Sequence, residues 1–124
     1  MGMKRQFQFP EMAFVRQPLF HSSIKDAPGT ICAAFEPLSH LRPTGAGETV
    51  AIAVGSRNID NLDGVVGKTI RFLREKGFKP FIVPAMGSHG GATPEGQRNI
   101  LERFGIDETT MNAPVNADMA AECI

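Results

Sequence analysis

Thr49-Val50-Ala51-Ile52-Ala53-Val54 is a continuous apolar run rich in β-branched residues. A turn-rich stretch, Pro43-Thr44-Gly45-Ala46-Gly47, precedes it, and Gly55-Ser56-Arg57-Asn58 follows. No polar residue alternates through Val50–Val54, so the run predicts a strand buried on both faces, which is the habit of parallel sheets. Downstream, Leu62, Val65, Val66, Ile70 and Leu73 recur at helical spacing. Lys68, Arg71, Arg74, Glu75 and Lys76 supply the wet face, and the cations near the end suit the helix dipole. Asn58 or Asp60 can cap the start, and Gly77 stands where a left-handed helix terminator belongs. Phe78 to Ala85 makes the next strand, around Phe81-Ile82-Val83.

Strand, helix, strand over roughly 35 residues predicts a right-handed βαβ unit. The expected fold is therefore α/β: a mainly parallel, Rossmann-like sheet with flanking helices. Val50–Val54 and Phe81–Val83 should be interior neighbours, and residues 1–124 should form a single domain.

Ligands in open α/β sheets bind at the carboxyl ends of the strands. The second strand ends in Met86-Gly87-Ser88-His89-Gly90-Gly91-Ala92-Thr93-Pro94-Glu95. Glycines allow positive φ and close backbone approach, so amides can converge on an anion. Thr93 is a good N-cap, Pro94 fits the first helical position and Glu95 favours the first turn. The free N–H groups of that helix would then point at the loop and favour a phosphate or carboxylate. His89 sits mid-loop, and an imidazole can give or take a proton near neutrality. The spacing is neither a Walker A loop nor G-x-G-x-x-G. The plain alternative is a glycine-rich turn with a surface histidine. If the two strands are neighbours, Arg57 and His89 emerge on one edge.

The remaining segments are less decisive. Residues 5 to 20 mix apolar and polar positions, and Phe7, Phe9, Met12, Phe14 and Val15 suggest one short strand. Pro10 and Pro18 restrict it to an edge or a bulge. His21 reads as a solvated loop residue. A helix starts near Asp26, with Pro28 in its first turn and Ile31, Phe35, Leu38 and Leu41 as its apolar face; Pro37 kinks or ends it. Cys32 is expected to be buried packing, and His40 to serve the helix end. After the glycine loop, Ile100, Leu101 and Phe104 form the buried stripe of a third helix ended by Gly105. Asp107-Glu108-Thr109-Thr110 looks like another cap, and Pro114-Val115-Asn116-Ala117 could begin an edge strand.

The chain of 124 residues has room for one modest core. Lys+Arg and Asp+Glu number 13 each, so no net charge argues for nucleic acid or an anionic membrane. The two cysteines, Cys32 and Cys123, suggest neither a disulfide framework nor a zinc site. No apolar run approaches the roughly 20 residues of a membrane span, and Met1 to Phe9 has no signal-peptide core. A cytoplasmic protein is the default expectation. The chain stops at Ala121-Glu122-Cys123-Ile124 with no polar tail or closing cap, which reads as one piece of a longer protein.

Val50-Ala51-Ile52-Ala53-Val54-Gly55-Ser56-Arg57 and the long Pro80–Gln97 stretch together resemble the N-terminal region of the lactate-racemase-like family, from about Val50 to the end of the chain. The resemblance implies a nickel-dependent racemase or epimerase of 2-hydroxy acids that uses a nickel-pincer nucleotide. It implies that His89 is the acid/base on the substrate hydroxyl and that Arg57, with Ser56 beside it, binds substrate. Gly87, Ser88, Gly90, Gly91 and Thr93 would lie against the cofactor. Lactate racemases carry an Asp-His-Thr-Arg-like sequence where this chain has Gly55-Ser56-Arg57, which points to relatives of unassigned substrate. The family's cofactor-tethering lysine and nickel-ligating histidine lie further along, and no position here matches them. The resemblance thus implies an N-terminal portion of a two-domain enzyme, inactive alone, completed by the rest of its own polypeptide. No metal site is expected on this chain by itself, and a homo-oligomer is left open. The alternative of a different class is a non-catalytic phosphate- or nucleotide-binding module.

Overall fold

The computed structural model describes residues 11–18, 23–57 and 59–120. The molecule is mixed α/β. Helix α1 (Ala27–Phe35) runs into a 3-10 turn at Glu36–Leu38. Strand β1 (Thr49–Val54), helix α2 (Leu62–Glu75) and strand β2 (Lys79–Pro84) follow. A 3-10 turn at His89–Ala92 leads into helix α3 (Pro94–Arg103), and a short α4 (Glu108–Met111) comes last.

β1 and β2 pair in parallel, with Thr49 opposite Lys79 and Val54 opposite Pro84. On the other side of β2, Ile82 N–H donates to Pro114 O and Asn116 N–H to Ile82 O, both at 2.8 Å. This makes a parallel bridge between Ile82 and Val115. β2 is therefore interior, as expected, while β1 is paired only along β2 among the described residues. The expected burial of β1 on both faces is corrected with it. Val54 is buried and Val50 and Ile52 are half-buried, but Thr49, Ala51 and Ala53 are exposed. Helix α2 covers one face only, and the small side chains on the other face carry little apolar area to cover.

The core lies between α2, β2 and α3. Leu62, Val66 and Ile70, spaced four apart along one face of α2, pack with Val54, Ile82, Met86, Leu101, Ile106, Ala113 and Val115. Ile82, Leu101 and Ile106 are the largest side chains completely removed from water, and each such burial contributes about 1.5–3 kcal/mol. Both long helices stop as their glycines demand. Gly77 N–H donates to Arg74 O and Phe78 N–H to Leu73 O, while Gly105 and Ile106 repeat the pattern on Glu102 and Leu101.

Several local expectations are corrected. Residues 11–18 form no strand, and Met12, Phe14 and Val15 stand in solvent, because no described segment offers them a ladder partner; Phe7, Phe9 and His21 lie outside the described residues. The cap of α2 is Asn61, in the left-handed region at φ 55°, in place of Asp60; Asn58 lies outside the described residues. Asp26 caps α1 as expected, accepting from Gly29 N–H at 3.0 Å. α1 buries no residue, however. It rests on α2 through Phe35, whose ring stacks on Phe72 at 4.5 Å. Cys32 falls about 100° round the helix from Ile31 and is exposed, not buried. Leu38 is exposed as well. Phe104 sits at the C-cap of α3, past its last helical residue, and is 37% exposed. Leu101 is completely buried and Ile100 packs partly buried against the core, as expected, and Gln97 joins them.

Candidate functional site

Parallel pairing of β1 with β2 brings both carboxyl ends to one edge, and Ala85 N–H extends the ladder by donating to Val54 O at 2.8 Å. The loops that follow line one open cleft of about 440 Å³, with Gly55, Ser56, Arg57 and Ile59 from one and Ala85, Met86, Gly87 and His89 from the other. Arg57 and His89 thus share a cleft. Ser56 Oγ and His89 Nδ1 lie 2.5 Å apart, the one direct side-chain bridge across it among the described residues. Residues 33 apart in sequence are thus joined across the two strand ends. The single salt bridge among the described residues joins Arg98 to Glu108, so no carboxylate of the described residues pairs with the exposed Arg57 guanidinium.

The second loop is built by its glycines and by Gln97. Gly87, Gly90 and Gly91 have φ of 59°, 67° and 70°, in the region that disfavours a β-carbon. Gly87 and Gly91 have open space around them, whereas Gly90 lies directly on the backbone of Gly96 and Gln97. Close approach at Gly90 therefore serves the fold of the loop against α3. Gln97 is 3% exposed, the one buried polar residue among those described. Its Nε2–H donates to Gly87 O at 2.8 Å, which ties the first turn of α3 to the loop two residues before His89. Glutamine on a helix ordinarily reads as solvated. The signal that places it inside is its position four residues before Leu101, on the same stripe.

Thr93 and Pro94 behave as their types predict, and the result changes what the helix end can offer. Thr93 Oγ1 accepts from Gly96 N–H at 3.1 Å and donates to Gly90 O at 3.0 Å. Gln97 N–H donates to Thr93 O at 3.0 Å, and Pro94 carries no N–H. Of the first helical positions only the Glu95 amide is left for an outside anion. Ser88 O accepts from Ala92 N–H at 3.2 Å, and His89 N–H donates to Met86 O at 3.3 Å. Within Gly87–Thr93 the loop itself thus uses the His89 and Ala92 amides.

Among the described residues no group of three or more His, Cys, Asp or Glu side chains is placed to hold a metal ion. His40 stands apart from the cleft, its Nδ1 2.9 Å from Pro37 O at the end of the turn after α1. Among the described residues, neither a lysine nor a second histidine lines the cleft. The described residues lining this cleft therefore do not by themselves supply a nickel ligand set or a covalent cofactor tether. What the arrangement can do is accept or return one proton at His89 and pair an anion with Arg57. No helix of the described residues is long and apolar enough to cross a membrane.

No protein-family model, no curated protein and no solved structure matches this chain. The resemblance to lactate-racemase-like proteins thus rests on the two strand-end motifs themselves.

Proposed function

We propose that this chain contributes the proton-transfer and carboxylate-binding part of a site for a small 2-hydroxy acid, in a racemase or epimerase completed by further polypeptide. The observation that carries the reading is the convergence of Arg57 and the Ser56–His89 pair in one cleft at the carboxyl ends of adjacent parallel strands. His89 takes the hydroxyl proton and returns it, since an imidazole serves both directions near neutral pH. Arg57 pairs the carboxylate through its planar fork of donors. Ile59, Ala85 and Met86 supply apolar wall beside them. The nickel-pincer chemistry that the resemblance implies has no residues among those lining this cleft, so no step through a metal or nucleotide is assigned to this chain.

The test is a titration of the ¹⁵N-labelled chain with a 2-hydroxy acid and, in parallel, with the same acid lacking the hydroxyl. The expected result is shifts at Gly55–Arg57 and Met86–His89 for both acids, with the His89 ring responding only to the hydroxy acid. Shifts confined to other surfaces, or none at about 10 mM ligand, overturn the reading. A response to inorganic phosphate alone, centred on Gly87–Thr93, favours the phosphate-binding module instead.

A further inference from the structure

His89 is held from three directions. Its ring meets the Ser56 hydroxyl at Nδ1. Two residues before it, Gly87 O is held by the buried amide of Gln97. Immediately after it, Gly90 is pressed on the backbone of Gly96. Among the described residues no acidic side chain lines the cleft, so the serine takes the place that a carboxylate often fills in orienting a catalytic imidazole. A hydroxyl is both donor and acceptor, and it stays neutral. It can therefore hold Nδ1 whether the ring is charged or not, without fixing a counter-charge in the cleft. With Nδ1 occupied, the other ring nitrogen is the atom left to meet a ligand.

We infer that Ser56 and Gln97 are positioning residues for His89. In the inferred arrangement Ser56 accepts from Nδ1–H, the direction of that contact that leaves the Nε2 lone pair for the cleft. Gln97 holds the loop, through Gly87, in the place where that bond can form. Ser56 is thereby assigned to the histidine and not to the substrate. The inference rests on the proposed acid/base role of His89, because only a base needs the lone pair at Nε2.

The experiment is long-range ¹H–¹⁵N correlation of the His89 ring in the ligand-free chain, at a pH where the ring is neutral. The wild type is expected to show Nδ1 protonated as the dominant tautomer. Ser56→Ala should lose that preference and Ser56→Thr should restore it, while the amide spectrum of the core stays in place. Gln97→Met should speed hydrogen exchange at the Ala92 amide by about tenfold, as loss of one buried hydrogen bond allows, and should partly scramble the tautomer. Gln97→Glu, isosteric but acceptor-only when ionised, is the second variant should Met not fold. A ring with Nε2 protonated in the wild type, or a tautomer ratio indifferent to Ser56, overturns the assignment of Ser56. Unchanged exchange and tautomer in both Gln97 variants overturn that of Gln97. No ligand enters this measurement. A Ser56-dependent tautomer beside a silent 2-hydroxy acid titration therefore supports the positioning and removes the substrate reading alone.

Discussion

The backbone of Gly90 rests on that of Gly96, with no room for a β-carbon at either position. The loop that carries His89 is thus folded back on the first turn of the helix it introduces, and the histidine is displayed from a braced turn. Thr93 closes the same turn from inside, bonded to Gly90 O and Gly96 N–H.

The two inner glycines of the loop should therefore behave differently. Gly91 has positive φ but open surroundings, so Gly91→Ala should cost about 1–2 kcal/mol of backbone strain. Gly90→Ala adds a collision with backbone and should cost more, about 3 kcal/mol or above. Urea unfolding of the two variants measures the difference, and equal midpoints would show that the packing of Gly90 on Gly96 is not what holds the loop.

The third helix offers a second contrast. Leu101 is completely buried and Phe104 is more than a third exposed. Leu101→Ala should lower stability by about 2–5 kcal/mol. Phe104→Ala should cost well under that, despite removing the larger side chain. Thermal or denaturant unfolding decides, and a Phe104 variant as damaged as the Leu101 variant would contradict the packing described.

The acid limb of stability should be set around α4. Hydrogen bonds from the Thr110 backbone, with help from the Thr110 side chain and the Thr109 backbone, hold the Asp107 carboxyl below its ordinary range. The Val115 amide, then Arg98, does the same for Glu108. Folded values below unfolded ones mean stabilisation that is present above the ordinary carboxylate range of about 4 and lost as pH falls through the lowered native values. Because Glu108 Oε1 accepts from Val115 N–H at 3.1 Å, the Ile82–Val115 bridge should loosen in the same window. Glu108→Gln should shrink the acid-dependent loss. Amide exchange at Val115 and Asn116 between pH 5 and pH 3, as acid probes of about the carboxylate range, reads this out; a pH-independent bridge would refute it.

Activity provides the fourth check, in the polypeptide that completes the proposed enzyme. His89→Ala should lower turnover by about 10²- to 10⁴-fold, the usual contribution of a placed proton-transfer group, with the fold intact. Arg57→Lys should not restore substrate binding, because an ammonium lacks the planar fork, and its loss should fall mainly on KM if the contact is equal in ground and transition states. Full turnover in His89→Ala would leave the loop as a braced turn without a catalytic part.

What the sequence determined by itself was local. The Asp26, Thr93 and Asp107 caps, the glycine stops at Gly77 and Gly105, and the alternation of β1, α2 and β2 all depend on hydrogen bonds or side-chain periods within a few residues, and each is legible from residue type and spacing. The placing of Arg57 and His89 in one cleft was legible too, because parallel strands joined by a helix bring their carboxyl ends together. The tertiary structure alone decided the rest. That Ser56 meets His89 Nδ1 depends on the register of Thr49 on Lys79 carried to the strand ends. That Gln97 is buried depends on α3 turning its Leu101 face to the core. One-sided cover of β1 and the exposure of Cys32 depend on which helix lies over which face. An apolar run or a helix turn has the same local pattern whether or not a neighbour covers it, so the covering element had to be seen in place.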